Sequence, residues 1–180
     1  MTLDSIVYTY TDSPFGTILI AKNSQGLRHI RFQEDPNRKP PEAGGWRFDP
    51  KAFKETLAQL GAYFNGDLHH FDLPLAPEGT PFQLQVWDAL QPIPYGETIS
   101  YAELAEKIGN PHASRAVGAA NGKNPLPIVI PCHRVIGSNG LLTGYTGGIH
   151  IKEALLAIEH RRPAKMNPQP MFPEFQAHFL

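Results

Sequence analysis

Residues 100–122, SYAELAEKIGNPHASRAVGAANG, decide the fold of the half of the chain that contains them, because they predict two short helices joined by a glycine turn. Ser100 and Glu103 form the S-x-x-E pattern of a capping box, which starts the first helix. Gly109 ends that helix, and Asn110-Pro111 can cap and open the second one. Two short helices across such a turn predict a helix-turn-helix.

The second helix of this stretch carries almost no side chain that could reach a base edge. Its small residues are Ala113, Ser114, Ala116, Gly118, Ala119 and Ala120. Small side chains let a helix backbone come close to a surface. If that surface is DNA, the contact is shallow, lies in the minor groove and is nearly independent of sequence, with Arg115 as the one large side chain in mid-helix. The alternative is close packing of this helix inside the core.

The charges around this stretch are uneven. The chain has no Asp or Glu between Glu106 and Glu153, a span that does contain basic residues. These are Lys107, Arg115, Lys123, Arg134 and Lys152. Such a span is typical of a surface that contacts a phosphate backbone, although a neutral, buried segment would have the same composition. The net charge of −1 gives no sign of a nucleic-acid partner.

The first eighty residues predict a small antiparallel sheet followed by a helix. Strand-like runs rich in β-branched and aromatic residues occupy 6–10, 17–20 and 27–32, with turn sequences between them. Residues 33–45 are polar and rich in proline, which predicts a mobile loop. Asp49 can cap a helix that Pro50 opens, and Asn65-Gly66 ends it.

Composition limits the class of protein. The 180 residues suit one ordinary domain or two small ones, and 41% hydrophobic with 18% charged residues is typical of a globular protein. We find neither a membrane-spanning stretch nor a secretory signal, so we expect a cytoplasmic location, or a nuclear one in a eukaryote. One cysteine cannot form an internal disulfide, and it argues against a cysteine-rich structural zinc site.

The single cysteine lies in a chemically suggestive setting. The apolar run 128–130 predicts a short buried strand between prolines, and Cys132 and His133 follow directly. A candidate base, the cation of Arg134 and downstream glycines favour the thiolate, the form that attacks. In an extended chain neighbouring side chains point to opposite faces, so we expect His133 to reach the sulfur through water or a local turn. Glu159 is the natural partner to orient the histidine. The alternative is an inert buried cysteine.

These residues resemble the O6-alkylguanine-DNA alkyltransferase family, whose active-site signature is similar to Ile130-Pro-Cys-His-Arg-Val135. The resemblance extends in order over residues 81–159. The further matching motifs are Tyr95-Gly96, Ser100-Tyr101, Gly109-Asn110-Pro111, Arg115-Ala-Val-Gly118, Asn124-Pro-Leu-Pro127, Gly144-Tyr-Thr-Gly-Gly148 and Leu155-Leu-Ala-Ile-Glu159. About eighty residues of ordered matches make the resemblance specific.

The resemblance implies an α/β (α+β) fold with a ribonuclease-H-like antiparallel sheet plus helix in residues 1–78. A mostly helical catalytic domain with a winged-helix-like helix-turn-helix would fill 79–162, and a tail would fill 163–180. The implied activity is DNA repair: a methyl or alkyl group moves irreversibly from O6-alkylguanine in double-stranded DNA to the protein's own cysteine, and O4-alkylthymine is left open as a second substrate. Each molecule would act once, as a monomer, on a base flipped out through the minor groove.

The resemblance also implies a role for each catalytic residue. Cys132 is the nucleophile, His133 deprotonates it through water, and Glu159 polarises the histidine. Asn124 ties down the active-site turn by hydrogen bonds. Tyr101 donates a proton or hydrogen bond to the guanine ring, and its bulk presses the flanking phosphate outward.

Two further groups of residues would bind the substrate. Those implied to contact DNA are Tyr101, Ala113, Ser114, Arg115, Ala116, Gly118, Lys123 and Arg134. Those implied to form the guanine pocket are Tyr101, Cys132, Val135, Tyr145, Thr146 and Gly147. Within them, Arg115 fills the space of the flipped base, and the carbonyls of Cys132 and Val135 accept from the exocyclic amine. Many relatives have serine where this chain has Thr146, and the added methyl group narrows the tolerance for bulky adducts. Members of the family that hold zinc use N-terminal cysteines, which this chain lacks, so no metal or other cofactor is expected.

Three other classes of function remain open from sequence. A non-catalytic sensor of alkyl lesions would share the fold but would replace the nucleophile, and Cys132 is intact. A helix-turn-helix regulator would need side chains that read bases. A Cys-His hydrolase would need an oxyanion hole and a water that releases an acyl group.

Overall fold

A computed structural model of the chain describes residues 5–33 and 45–160. They form two compact units, one within the stretch up to Ala76 and the other over Pro77–His160. The first is built on a small sheet and the second is mostly helical, which confirms the predicted mixed α/β fold. Most of the predicted loop at 33–45 and the whole predicted tail at 163–180 lie outside the described residues. In the part described, every helix is too short or too polar to cross a bilayer.

Four strands form the sheet of the first unit, in the order β3-β2-β1-β4. They are β1 Val7–Ser13, β2 Gly16–Lys22, β3 Leu27–Phe32 and β4 Arg47–Phe48. The predicted antiparallel meander is confirmed, since β1 pairs with β2 and β2 with β3 in that sense. β4 lies parallel to β1 and adds to the prediction, because two residues are too few to show a strand periodicity.

The helix after the sheet begins differently from the prediction. A 3₁₀ turn, Pro50–Phe53, precedes α1, Lys54–Asn65. The predicted side-chain cap by Asp49 is wrong, because this carboxylate accepts instead from the Arg47 guanidinium at 2.8 Å, a charged donor that outcompetes a backbone amide. Gly66 ends α1 as predicted, with the left-handed φ of 82° that glycine adopts without strain.

The second unit contains four α-helices and a pair of two-residue strands. Their bounds are α2 Pro81–Leu90, β5 Ile99–Ser100, α3 Tyr101–Lys107, α4 Ser114–Asn121, β6 Val135–Ile136 and α5 Ile149–His160. α2 packs against α4, and at their contact the Trp87 indole donates to the Ala120 carbonyl at 2.9 Å within the core. This buried hydrogen bond fixes which face of α4 turns inward.

α3 and α4 form the predicted helix-turn-helix. The capping box is confirmed: the Glu103 amide donates to Ser100 Oγ at 3.1 Å, and the Ser100 amide donates to the Glu103 carboxylate at 2.6 Å. α4 begins three residues later than predicted, because residues 110–113 form a turn closed by the Ala113 amide on the Asn110 carbonyl. The asparagine and proline thus belong to the linking turn and not to the helix.

β5 and β6 pair in parallel and connect the helix-turn-helix to the segment that carries the cysteine. The apolar run 128–130 is not the predicted strand but a buried turn, in which Ile128 has a φ of 77°. The Asn124 side chain satisfies this turn, since its Nδ2 donates to the Ile130 carbonyl at 2.8 Å and its Oδ1 accepts from the Leu126 amide at 3.0 Å. These bonds take the place of a strand ladder.

Candidate active site

Cys132 begins a single 3₁₀ turn, Cys132–Arg134, that leads into β6. The residue is 1% exposed. Its amide donates to the Ile130 carbonyl at 2.8 Å, and its own carbonyl accepts from Asn121 Nδ2 at 3.2 Å. The expected extended chain is therefore wrong at this point, because the backbone closes a tight turn, and the argument that Cys132 and His133 point to opposite faces does not apply.

The Cys132 thiol is protonated at neutral pH. Burial raises its pKa to about 11, although the Asn124 side chain and the positive charge of Lys152 act in the opposite direction. The expectation that the surroundings favour a thiolate is thus wrong for the resting protein, since the cost of burying a charged sulfur outweighs the nearby donors. A base must take the proton when the substrate is in place.

A buried cluster of titratable side chains joins the two residues after the cysteine, His133 and Arg134, to Glu159 near the end of α5. His133 Nε2 lies 2.7 Å from Glu159 Oε1, and both side chains are fully buried. Arg134 donates to the same carboxylate from Nη2 at 3.0 Å and from Nε at 2.9 Å. The Gly96 amide adds a fourth hydrogen bond to Glu159, at 3.1 Å. The structure therefore joins the candidate base to the carboxylate that the sequence singled out.

The charge states in this cluster follow from its hydrogen bonds. Burial by itself raises the pKa of Glu159, but the hydrogen bonds from His133 and Arg134 outweigh it and hold the pKa well below its usual value. Since a carboxylate can only accept, His133 Nε2 carries the hydrogen of their bond, and Nδ1 is the basic ring nitrogen. Burial lowers the pKa of His133 against the pull of Glu159, so the imidazole is neutral at pH 7 and can accept a proton.

Lys152 is a site residue that the sequence analysis placed only within the acid-free span. It is fully buried on α5, where Nζ donates to the carbonyls of Val135 at 2.6 Å and Thr143 at 2.8 Å. Burial lowers its pKa to about 8, while the neighbouring Cys132 acts in the opposite direction. A sequence signal for it exists: Lys152 and Glu159 are seven residues apart, so an inward Glu159 puts Lys152 on the same helix face.

A glycine-rich loop, residues 137–148, connects β6 to α5. Tyr101, from the start of α3, donates its hydroxyl hydrogen to the Thr143 carbonyl at 3.0 Å. Thr146 donates its own to the Gly122 carbonyl at 2.9 Å. Side chains from two sides thus hold the loop in place.

The remaining residues assigned to the guanine pocket lie close to the nucleophile or in this loop. The Tyr145 hydroxyl oxygen is buried, and burial, followed by the nearby Cys132, raises the pKa of Tyr145 well above its usual value. Gly147 is half-buried in a turn. The Cys132 carbonyl already accepts from Asn121 Nδ2 and from the Val135 amide, and the Val135 carbonyl accepts from a lysine, so a bound amine would share these oxygens with donors of the protein.

α4 presents one face to the core and another to solvent. Val117 and Ala120 are buried, whereas Arg115, Ala116 and Ala119 are exposed. The sequence left open whether small residues pack inside or face outward, and both occur on opposite faces. Gly118 faces Tyr101, whose ring would lie 3.6 Å from a Cβ at that position. Ala113 and Ser114, where the helix starts, are half-buried.

Arg134 is not a surface cation. It is 6% exposed, and its guanidinium bonds to Glu159 and to the Ile93 carbonyl. The expectation that Arg134 contacts DNA is therefore wrong, because its charge is already used inside the protein. Lys123, just after α4, is exposed.

The described residues include no group of three or more His, Cys, Asp or Glu side chains that could hold a metal ion. The one cysteine of the sequence is Cys132, and His133 and Glu159 bond to each other. The expected lack of a metal or other cofactor stays a prediction.

Two family models match the chain and together cover most of it. The 6-O-methylguanine DNA methyltransferase, DNA binding domain, matches residues 81–161. The 6-O-methylguanine DNA methyltransferase, ribonuclease-like domain, matches residues 6–77. The whole cluster around the cysteine falls within the first of them.

Relatives and solved structures agree with these matches. The methylated-DNA–protein-cysteine methyltransferase of Methanosarcina acetivorans is 52% identical over 84% of this chain and 97% of its own, and that of Mycolicibacterium paratuberculosis is 51% identical over 89% and 97%. A crystal structure of the Mycobacterium tuberculosis O6-methylguanine methyltransferase is 50% identical over 88% of this chain and 96% of that one, with a TM-score of 0.81. One of Mycobacterium tuberculosis OGT in complex with DNA is also 50% identical, over 85% and 92%, with a TM-score of 0.77.

A helix-turn-helix next to a buried cysteine with a His–Glu pair is the arrangement of a DNA alkyltransferase. Within that class, the chain belongs to the O6-methylguanine DNA methyltransferase family.

Proposed function

We propose that this protein repairs DNA by moving a methyl or alkyl group from O6 of guanine, in double-stranded DNA, onto Cys132. The observation that carries the proposal is the burial of Cys132 beside the hydrogen-bonded pair of His133 and Glu159, in a unit that also exposes the small residues of α4. O4-alkylthymine is included as a substrate, because it presents a similar alkyl–oxygen bond on a base. No metal or cofactor takes part.

The reaction begins with the thiol proton. It moves from Cys132 to His133 Nδ1, directly or across one water, and Glu159 stabilises the imidazolium that forms. The sulfur then attacks the alkyl carbon, a sulfur–carbon bond forms, and the carbon–O6 bond breaks with its electron pair going to guanine. The proton given up by the thiol is balanced by the proton that guanine takes up, so the products are an S-alkylcysteine and guanine.

Tyr101 assists at the guanine ring. Its hydroxyl donates to the Thr143 carbonyl in the structure, and a docked guanine exchanges that acceptor for a ring nitrogen that gains negative charge. The carbonyls of Cys132 and Val135 accept from the exocyclic amine, while Tyr145, Thr146 and Gly147 wall the pocket.

Guanine O6 lies inside the base stack, so the damaged nucleotide must be flipped out at a cost of a few kcal/mol. α4 approaches the minor groove, where Ala113, Ser114, Ala116 and Gly118 allow a close backbone approach. Arg115, exposed in mid-helix, fills the space that the base leaves. Lys123 contacts a phosphate near the end of the same helix.

Each molecule acts once. The product is a thioether, which water does not hydrolyse, and the sequence has no second cysteine to displace the alkyl group. We further propose that residues 79–162 carry the chemistry, that 1–78 and 163–180 lie outside it, and that the protein acts as a monomer in the cytoplasm, or in the nucleus of a eukaryote.

Intact-mass measurement tests the proposal. After mixing with a duplex that contains O6-methylguanine, we expect one added methyl group per protein, located on Cys132 by peptide mapping. Cys132→Ser should gain no mass but bind the duplex nearly as well, since an alcohol is a far weaker nucleophile at neutral pH. An unchanged wild-type mass, or turnover beyond one equivalent of DNA, contradicts the proposal.

A further inference from the structure

The Thr146 hydroxyl connects the glycine-rich loop to the end of the DNA-facing helix. Thr146 Oγ1 donates to the Gly122 carbonyl at 2.9 Å. Gly122 caps the C-terminus of α4. The last carbonyls of a helix have no amide donor within the helix. The hydroxyl therefore satisfies a main-chain group that the helix itself leaves open.

The loop needs such an anchor because its glycine-rich backbone can adopt many conformations. It contains five glycines, three of them with positive φ: Gly140 at 79°, Gly144 at 47° and Gly148 at 90°. Tyr101 and Lys152 both hold the loop at a single point, the Thr143 carbonyl. The residues beyond that point reach the second anchor at Thr146.

The segment between the two anchors contains Tyr145, a residue assigned to the guanine pocket. Tyr145 precedes Thr146 directly, its hydroxyl oxygen is buried, and Cys132 is close enough to act on its titration. Whatever fixes Thr146 therefore fixes the wall that Tyr145 builds beside the nucleophile.

The same end of α4 also holds the nucleophile itself. Asn121, the last residue of the helix, donates from Nδ2 to the Cys132 carbonyl at 3.2 Å. Two consecutive residues, Asn121 and Gly122, thus bond to the two walls of the site, one to the cysteine turn and one to the loop. A single helix end sets the distance between them.

We propose that Thr146 is a positioning residue that shapes the guanine pocket by fastening loop 137–148 to the C-terminal end of α4 through its hydroxyl. This inference rests on the proposed function and adds a residue that acts through the loop and not on the reacting atoms. The fastened loop is organised for the base before binding, so its loss weakens substrate binding and leaves the chemical step intact.

Two variants isolate the hydroxyl. Thr146→Val keeps the shape and removes only the hydrogen bond, and Thr146→Ser keeps the hydroxyl. Thr143→Val makes the same change at an exposed position in the loop, where the main-chain carbonyl accepts the hydrogen bonds. Transfer rates are measured over a range of concentrations with two substrates: free O6-benzylguanine, whose benzylic carbon reacts readily, and a duplex containing O6-methylguanine.

For Thr146→Val we expect the half-saturating concentration to rise about five-fold on both substrates, the equivalent of one net hydrogen bond, with the maximal rate constant unchanged. Thr143→Val should match the wild type on both substrates. Thr146→Ser should match it on the methylated duplex and bind the bulkier O6-benzylguanine at least as well, because serine lacks the methyl group that narrows the pocket. A half-saturating concentration that Thr146→Val leaves unchanged overturns the inference. A rise confined to the duplex also overturns it, because the hydroxyl would then contact DNA directly. Failure of the wild-type protein to transfer any group refutes the proposed function instead.

Discussion

Arg134 and Glu159 form a buried two-point ion pair, with Nε 2.9 Å from Oε2 and Nη2 3.0 Å from Oε1, and side chains that are 7% and 0% exposed. Together with His133, this pair leaves the carboxylate fully hydrogen-bonded. Burial, and with it the positive charge of Arg134, lowers the pKa of His133, which keeps the histidine available as a base. The arginine of the Cys-His-Arg motif thus forms its ion pair inside the protein and does not contact DNA.

The first prediction separates an internal cation from a surface cation. Arg134→Met should destabilise the fold by about 3–5 kcal/mol, because it leaves the Glu159 carboxylate buried without its charged partner. It should not change the salt dependence of DNA binding. Urea denaturation measures the first effect, and fluorescence anisotropy on an undamaged duplex at several salt concentrations, at low temperature, measures the second.

Lys123→Met is the matched control, since it removes one exposed cation next to α4. It should leave stability nearly unchanged and reduce the slope of log affinity against log salt by about 0.9, the value for one lost phosphate contact. If Arg134→Met reduces that slope while the fold stays intact, the arginine reaches DNA and the internal role is wrong.

Local patterns predicted the elements whose signals are local. The capping box at Ser100 and Glu103 and the glycine stop at Gly66 need only neighbours in sequence, and both are confirmed. The apolar run 128–130 misled the prediction, because burial alone does not tell a strand from a turn. The Asn124 side chain stabilises the turn by two hydrogen bonds, and the periodicity of the sequence does not reveal these bonds.

The sequence identified the residues of the site but not which of the basic residues are buried. Cys132, His133 and Glu159 were selected from sequence, and the structure brings the histidine and the carboxylate within 2.7 Å. Whether a basic residue lies inside or on the surface depends on the direction in which its turn or helix face points. Arg134 and Lys152 are both buried, although the sequence left open whether the acid-free span that contains them is a surface or a buried segment.

The second prediction tests the proposed proton path. Glu159→Gln keeps the shape but removes the charge that stabilises the imidazolium, so the maximal transfer rate should fall on the order of ten- to a hundred-fold with DNA affinity nearly unchanged. Because Glu159 raises the pKa of His133, its loss should also shift the acid limb of the rate profile to lower pH. Single-turnover rates from pH 5 to 9 give both values. A variant as fast as the wild type across pH 6 to 9 would make Glu159 a structural contact at the helix end.

The third prediction concerns stability and pH. Since burial lowers the pKa of His133 in the folded protein, the unfolded chain takes up a proton first as the pH falls below about 6.5. Folding stability should therefore decrease between pH 7 and 5.5, with a slope approaching 1.4 kcal/mol per pH unit for this one group. His133→Gln cannot bind that proton, so its urea midpoint should vary less over the same range. His112→Gln, at an exposed position, should retain the wild-type slope. Equal slopes in all three proteins would mean that His133 does not remain neutral on folding.

The last prediction concerns Arg115 and separates base flipping from chemistry. If Arg115 fills the space left by the flipped base, Arg115→Ala should slow repair of O6-methylguanine in duplex DNA about ten- to several-hundred-fold, because the unstacked state loses a stabilisation of a few kcal/mol. Reaction with a free O6-alkylguanine base needs no flipping and should remain almost normal. Rates of transfer to Cys132 on the two substrates give the comparison.

Arg115→Lys distinguishes a stacking arginine from one that contacts a phosphate. Lysine lacks the planar guanidinium that can stack between bases, so we expect it to restore little of the duplex reaction. At a phosphate contact, lysine would restore most of the activity, and the contribution of the residue would fade as salt is added. Arg115 is exposed on α4, so its removal should not affect the fold. Equal losses on duplex and free base would show that it supports the structure after all, and the role in flipping would have to be abandoned.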